Sequence, residues 1–589
     1  MTEAWERLRP VESLVKLPLY SAVGVTSGRL VYSSNVEGVR DLWSLDLSTG
    51  SSVRLTRGGV SAVAAVRPNS PLVVYAKDVG AGRELHQVFC VDARGGEERA
   101  IEGMEPRRVF GVEFDGEIVA ASAASERSVE LWVMRLGGEA ERVYETKSII
   151  VVSDVGSGKV VGHGVLRGNP RAFELFVFDL ESLELEVFTP REGSLNRAPR
   201  LWGSKLLFAT TAFGRERLVV YDLETKELAE PELRYRDHEG YDFTEYVAYG
   251  WTADGRVWFV GKRDGRTRAF VDGREVPLPE GCVTNLVPVG SRVYATHSSL
   301  ASPHSVYEVD LESGERRVLL GAELPPEAAE RIGEAYMVWY ESADGLKVPA
   351  FVVESRAAPR PGPTVVYVHG GPWADVADSW NVMIASLAAL GYHVVAPNFR
   401  GSTGYGEEFR RMIIGDPGGG DLADVVGAAE WARASGLADR VAIMGYSYGG
   451  YMTLLALTKR PDAWSAGCAG AGIADWEETY ELSDALYKSF IEVLFAGRSE
   501  LFRERSPITY VEGLKAPVCI VHPQNDTRTP LRPVLHLVER LLELGKTFEL
   551  HVIPDAGHAI VKVEDALKVL FPMVLFLDRY LRSGGGGRG

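Results

Sequence analysis

The chain has 589 residues, 46% of them apolar and 25% charged, with a formal net charge of −17. That length exceeds what one core can hold and predicts about two to four domains. The acidic balance argues against nucleic acid or anionic membrane as a partner.

No apolar run approaches the ~18 residues a bilayer requires, and Glu3, Glu6, Arg7 and Arg9 do not make a leader, so a cytoplasmic protein is expected. Cys90, Cys282, Cys468 and Cys519 share no metal-ligand or disulfide spacing and are expected reduced in cores; neither a metal nor a cofactor is expected. Asn and Gln together number ten while Glu and Arg abound, a thermophile-like bias.

Residues 1–24 carry Trp5, Leu8, Val11, Leu14 and Leu17 at helix-like spacing, interrupted by Pro10. They are expected to form a helical extension packed on the C-terminal half. Residues 25–322 repeat. One series of strands ends in an acidic turn: Leu42–Leu47, Val88–Asp92, Leu131–Leu136, Leu175–Leu180, Leu218–Leu223, Val306–Leu311 and the degenerate Arg268–Gly273. A second series interleaves with it: Leu30–Tyr32, Leu72–Tyr75, Ile118–Ala120, Val160–Val161, Leu206–Phe208, Val257–Phe259 and Val293–Ala295. Both give seven units at a period of about 44 residues, the length of a four-stranded blade. A seven-bladed β-propeller follows; a β-sandwich would not explain the even period.

Residues 323–582 change character. After strands at Tyr336–Tyr340, Val348–Val353 and Thr364–Val368, apolar strands at His393–Ala396, Val441–Met444, Val518–Val521 and Glu549–Ile553 alternate with helices near 379–390, 421–435, 452–458, 531–544 and 563–581. Such alternation predicts a doubly wound, mostly parallel α/β sheet with function at the carboxyl ends of its strands. Residues 583–589 are mostly glycine and are expected to be a flexible tail.

Within this half, Gly445-Tyr446-Ser447-Tyr448-Gly449 joins a strand to a helix. That turn pushes a serine hydroxyl out beside the backbone N–H groups of a helix start. Upstream, Val368 runs into His369-Gly370-Gly371-Pro372-Trp373, whose glycines let a backbone N–H face an oxyanion together with the N–H of Tyr448. Downstream, Asp526 follows one strand and His558 another, in the order Ser, Asp, His that the architecture demands. Ser447, His558 and Asp526 are therefore expected as nucleophile, general base and orienting carboxylate. Asp555 is a rival for the acid but sits where it would cap a turn. His369 is expected to shape its loop, and His522 and His551 to pack.

These residues, together with Asn398-Phe399-Arg400-Gly401-Ser402-Thr403-Gly404-Tyr405-Gly406 and Asp526-Thr527-Arg528-Thr529-Pro530, resemble the prolyl oligopeptidase family of serine peptidases, in particular its acylaminoacyl-peptidase branch of archaeal type. The resemblance is specific over about residues 330–580 and architectural before them. It implies an oxyanion hole from the N–H groups of Gly371 and Tyr448, and a substrate-contacting role for Arg528. It places the specificity pocket on the segment 476–494, where Trp476, Phe490, Ile491 and Leu494 would suit an acylated apolar residue. It further implies a homo-oligomer, short N-acylated peptides as substrates and side esterase activity. Alternatives are a general carboxylesterase, a dipeptidyl- or oligopeptidase of the same family, and an inert propeller scaffold. No carboxylate pair suited to a free amine stands out in the propeller half.

Overall fold

Seven sheets of four antiparallel strands follow one another from Tyr20 to Leu320, among the residues that this computed structural model describes, 2–61, 64–231 and 243–582. They are the blades of a propeller. The first contains Tyr20–Thr26, Arg29–Ser34, Asp41–Asp46 and Ser52–Arg54; the seventh contains Cys282–Val289, Arg292–Ser299, Ser302–Asp310 and Arg316–Leu320. The two repeated sequence series are the second and third strands of the blades. The second strands bury almost every side chain (Leu30, Val31, Val73, Val74, Leu206 and Leu207 are fully buried), which is why they read as unbroken apolar runs.

The acidic residue that closes most of the third strands has a structural reason. Asp46 Oδ1 accepts the N–H groups of Ser48 (2.9 Å) and Thr49 (3.0 Å), and Asp179, Asp222 and Asp310 do the same two and three residues on. A carboxylate at this position supplies the hairpin with its own acceptor. The ring closes by the seventh blade packing beside the first: Asn285 Nδ2 donates to Ala22 O at 2.7 Å, and Ala22 N to Thr296 Oγ1 at 2.8 Å.

The first blade begins at Tyr20, earlier than the boundary at 24/25 read from sequence. Ser21, Ala22 and Gly24 lower the apolar contrast of that strand and hide it. The helix Thr2–Val15 also runs through Pro10 without a break. Leu8, Val11, Leu14 and Leu17 are buried in one core with the helices Val382–Ala389 and Val563–Leu577 of the C-terminal half. Each such side chain stabilises that docking by about 1.5–3 kcal/mol. The side chain of Trp5 and the tail 583–589 lie outside the described residues.

The C-terminal sheet has eight strands: β1 (Ile332–Glu341), β2 (Lys347–Ser355), β3 (Gly362–Val368), β4 (His393–Pro397), β5 (Ala438–Tyr446), β6 (Ala466–Gly470), β7 (Val518–Pro523) and β8 (Phe548–Ile553). Their order is β1-β2-β4-β3-β5-β6-β7-β8, antiparallel for the first two pairings and parallel thereafter. Seven of them match the sequence reading. β6 does not, because Ala466-Gly467-Cys468-Ala469-Gly470 has none of the β-branched or aromatic residues that mark a strand. Its small residues are instead required by close packing: a methyl group on Gly467 would stand 2.4 Å from Leu457 Cδ1. Four cysteines are free and buried. Among the described residues, no helix is long and apolar enough to cross a membrane.

Candidate active site

β3, β5, β7 and β8 all end on one side of the sheet, and each delivers a candidate residue there. β5 ends at Tyr446; Ser447 follows with φ 61° and ψ −122°, and the helix Tyr448–Lys459 begins at once. A positive φ on a serine is strained. Glycines make the turn possible: a methyl group on Gly449 would stand 2.0 Å from Val368 O, and one on Gly445 2.5 Å from the Gly449 carbonyl.

The structure brings Ser447, His558 and Asp526 together. Ser447 Oγ donates to His558 Nε2 at 2.9 Å, and His558 Nδ1 donates to Asp526 Oδ2 at 2.7 Å. Asp526 is fixed in turn. Its Oδ1 accepts the backbone N–H groups of Arg528 (3.0 Å) and Thr529 (2.9 Å), and its Oδ2 accepts the Thr529 hydroxyl at 2.9 Å. Burial pushes the Asp526 carboxyl up, but the adjacent His558 and these donors overcome it and hold it below its ordinary value. Asp555, the rival, is exposed in a turn with φ 54° and takes no part.

Tyr448 is the first residue of its helix, so its N–H has no intrahelical acceptor. The loop after β3 lies against the nucleophile: a methyl group on Gly370 would stand 3.3 Å from Ser447 Cβ. Gly371 follows with φ 126°, a conformation that favours glycine. His369 shapes this loop through hydrogen bonds with Gly370 O (2.7 Å) and Ser402 Oγ (2.9 Å), and stacks on Phe399. Burial lowers its imidazole to about 4, so it is neutral.

Of the four residues expected in a specificity pocket, Trp476, Ile491 and Leu494 are fully buried in the core of the C-terminal half. Trp476 packs edge-on against Tyr451 and Phe495. Phe490 alone is partly exposed, edge-on to Trp373 at 5.4 Å and stacked on Tyr487 at 5.3 Å. Arg528 is held by the propeller. Its Nε donates to both oxygens of Glu84 (3.0 and 2.9 Å), whose Oε2 also takes Arg108 Nη1 at 2.6 Å. Arg108 Nη2 reaches Thr527 Oγ1 at 2.8 Å. Burial alone would push the Glu84 carboxyl up; the two guanidinium groups hold it at about 2.

Sequence reasoning missed Glu84, Thr529 and Tyr446, whose hydroxyl donates to His558 O at 3.0 Å. Thr529 and Tyr446 stood inside quoted motifs, next to Arg528 and Ser447 respectively; Glu84 is 444 residues from its partner Arg528 and carried no local signal. His522 and His551 are bound to Thr529 O and Glu549 respectively and lie off the relay.

Residues 378–584 match the prolyl oligopeptidase family, and residues 31–307 match the acylamino-acid-releasing enzyme-like N-terminal domain. Dipeptidyl aminopeptidase BIII of Pseudoxanthomonas mexicana is 31% identical over 322 residues, covering 51% of this chain and 46% of that protein. Acylamino-acid-releasing enzyme 1 of Oryza sativa subsp. japonica is 29% identical over 256 residues, covering 41% of this chain and 33% of the rice protein. The matched stretch thus spans half or less of these relatives. A puromycin-hydrolyzing peptidase of Mycobacterium tuberculosis superposes with a TM-score of 0.80 at 20% identity over 98% of this chain and 96% of that one, a likeness of fold.

Proposed function

We propose that this chain, a member of the prolyl oligopeptidase family, is a serine peptidase that releases N-acylated amino acids from short peptides through an acyl-enzyme on Ser447. The observation that carries hydrolysis is the continuous relay from Ser447 through His558 to Asp526. In this reading the imidazole takes the serine proton as Oγ attacks the carbonyl, then gives it to the leaving amine. Asp526 keeps Nδ1 protonated and offsets the imidazolium charge. The N–H groups of Gly371 and Tyr448 receive the oxyanion, each worth about 3–4 kcal/mol in the transition state. In deacylation His558 takes a proton from water as the water oxygen attacks the acyl carbonyl, then gives it to Ser447 Oγ as the acid is released.

The charge balance at Glu84, the propeller carboxylate that meets the catalytic loops, favours an acylated over a free N-terminus. A free amine needs an uncompensated carboxylate to replace its water. Glu84 reaches toward the site from the propeller, but two guanidinium groups already neutralise it. The match of residues 31–307 to the acylamino-acid-releasing enzyme-like domain supports the same reading. The propeller would limit substrates to short chains, and the same hydroxyl would attack esters.

Three substrates test this: acetyl-leucine p-nitroanilide, leucine p-nitroanilide and a simple alkyl ester. The acetylated anilide is expected to give the highest kcat/KM of the two anilides, with the ester also cleaved. Turnover of the free-amine anilide alone would refute the acyl preference, and turnover of the ester alone the peptidase. A fluorophosphonate should label Ser447; folded protein left unlabelled would refute both.

A further inference from the structure

A cavity of about 620 Å3 lies between the N-terminal helix, the first and seventh blades, and the chain that follows His558. Much of its wall is apolar, and neither aspartate nor glutamate lines it. Its ionisable side chains are Arg40, His304 and Lys562 besides the phenol of Tyr20. Arg40 lies on the turn between the second and third strands of the first blade, and its backbone N–H donates to Val561 O at 3.0 Å. Its guanidinium is half-buried, and burial alone acts on it, lowering its pKa; among the described residues no carboxylate offsets its charge. Buried charges are ordinarily paired, so an uncompensated guanidinium facing a cavity is a vacancy for an anion.

The chain from His558 to Val561 links the cavity to the chemistry. His558 protonates the leaving amine, so the leaving peptide departs on the His558 side of Ser447. Val561, hydrogen-bonded to Arg40, is three residues further along, a span of at most about 11 Å. A leaving peptide of two to four residues covers about 7–14 Å.

We infer that Arg40 binds the C-terminal carboxylate of the leaving peptide. The planar guanidinium suits a carboxylate, and an internal peptide bond or a C-terminal amide carries no charge to meet it. The site therefore selects substrates whose chain ends within a few residues of the scissile bond, a preference for short peptides set by charge as well as by size. This inference rests on the peptidase reading above.

The test separates the two. On Ser447→Ala protein, calorimetry compares trialanine with trialanine amide. The acid is expected to bind at least about tenfold more tightly, and Arg40→Ala to erase the difference. In active enzyme, Arg40→Ala is expected to lower kcat/KM about tenfold for an acetylated tetrapeptide acid, leaving the corresponding amide and acetyl-leucine p-nitroanilide unchanged. Arg40→Met, which keeps the apolar stem, should reproduce both results if the alanine variant melts early. Equal affinity for acid and amide, or discrimination that survives loss of the guanidinium, overturns the inference. Should the wild type cleave the ester and neither peptide, the peptidase reading fails, and the calorimetry alone still decides Arg40.

Discussion

Gly82 of the propeller and Gly557 of the loop that carries His558 meet backbone to backbone. A methyl group on Gly82 would stand 2.3 Å from Gly557 N, and one on Gly557 1.7 Å from Gly82 O. The imidazole is therefore positioned by both halves of the molecule, with the propeller loop as a stop against which its own loop rests.

Gly82→Ala is the sharpest probe of that contact. The residue has φ +91°, so the substitution adds backbone strain to the collision. Because the obstacle is backbone, the His558 loop must move. A displacement near 1 Å would lower kcat about 100-fold for peptide and ester alike. Pre-steady-state acylation measures it; wild-type acylation would show that the two loops separate at no cost to the relay.

Asp526→Asn should leave the fold intact, since an amide can still accept from Arg528 N and Thr529 N. It removes the acceptor that holds His558 Nδ1 protonated, and kcat should fall about 10⁴-fold. Circular dichroism and steady-state kinetics check both halves of this statement.

Glu84 joins the propeller to the catalytic loops through Arg528 and Arg108. Its carboxyl is depressed to about 2, so its stabilising contribution is full above the unfolded value near 4.5 and is lost as pH falls toward 2. Glu84→Gln should cost about 3 kcal/mol at pH 7, by leaving Arg108 and Arg528 short of a counterion, and should flatten that acid dependence. Urea titrations between pH 3 and 7 would reveal an unchanged slope if the contact were unimportant.

Asp421 has the opposite sign. It is fully buried, one of its oxygens lacks a partner, and the other accepts the Tyr448 hydroxyl at 2.6 Å. Burial raises its carboxyl to about 6. A raised acid binds its proton more tightly in the native state, so stability declines as pH rises from about 4 to 6 and is flat above. Asp421→Asn should remove this decline and add about 1–3 kcal/mol at pH 7. Equal stabilities at pH 7 and an unchanged decline would contradict it.

Much of this was legible in the chain because it is local. The blades announced themselves through Leu206-Leu207-Phe208 and its six counterparts, and through hairpin aspartates such as Asp222 that satisfy their own turns. Ser447, Asp526 and His558 each stood at the end of a readable strand. What stayed hidden depends on distant partners or on smallness. β6 is built of alanine, glycine and cysteine, and its neighbours alone make it a strand. Arg200 and Glu113, paired at 2.9 Å, are 87 residues apart, and nothing near either foretells the other. Trp476, Ile491 and Leu494 look alike as pocket wall and as core, and burial alone distinguishes the two.

The docking of Leu8, Val11 and Leu14 among residues that begin only at Leu300 has a consequence for biosynthesis. Their helix leaves the ribosome before the propeller and finds its place only after it. At about 5–20 residues per second it waits roughly 15–60 s for the surface it covers, with its apolar stripe open to water. The nascent chain must shield that stripe until the whole propeller has been translated, and a chaperone that binds short apolar helices would do so.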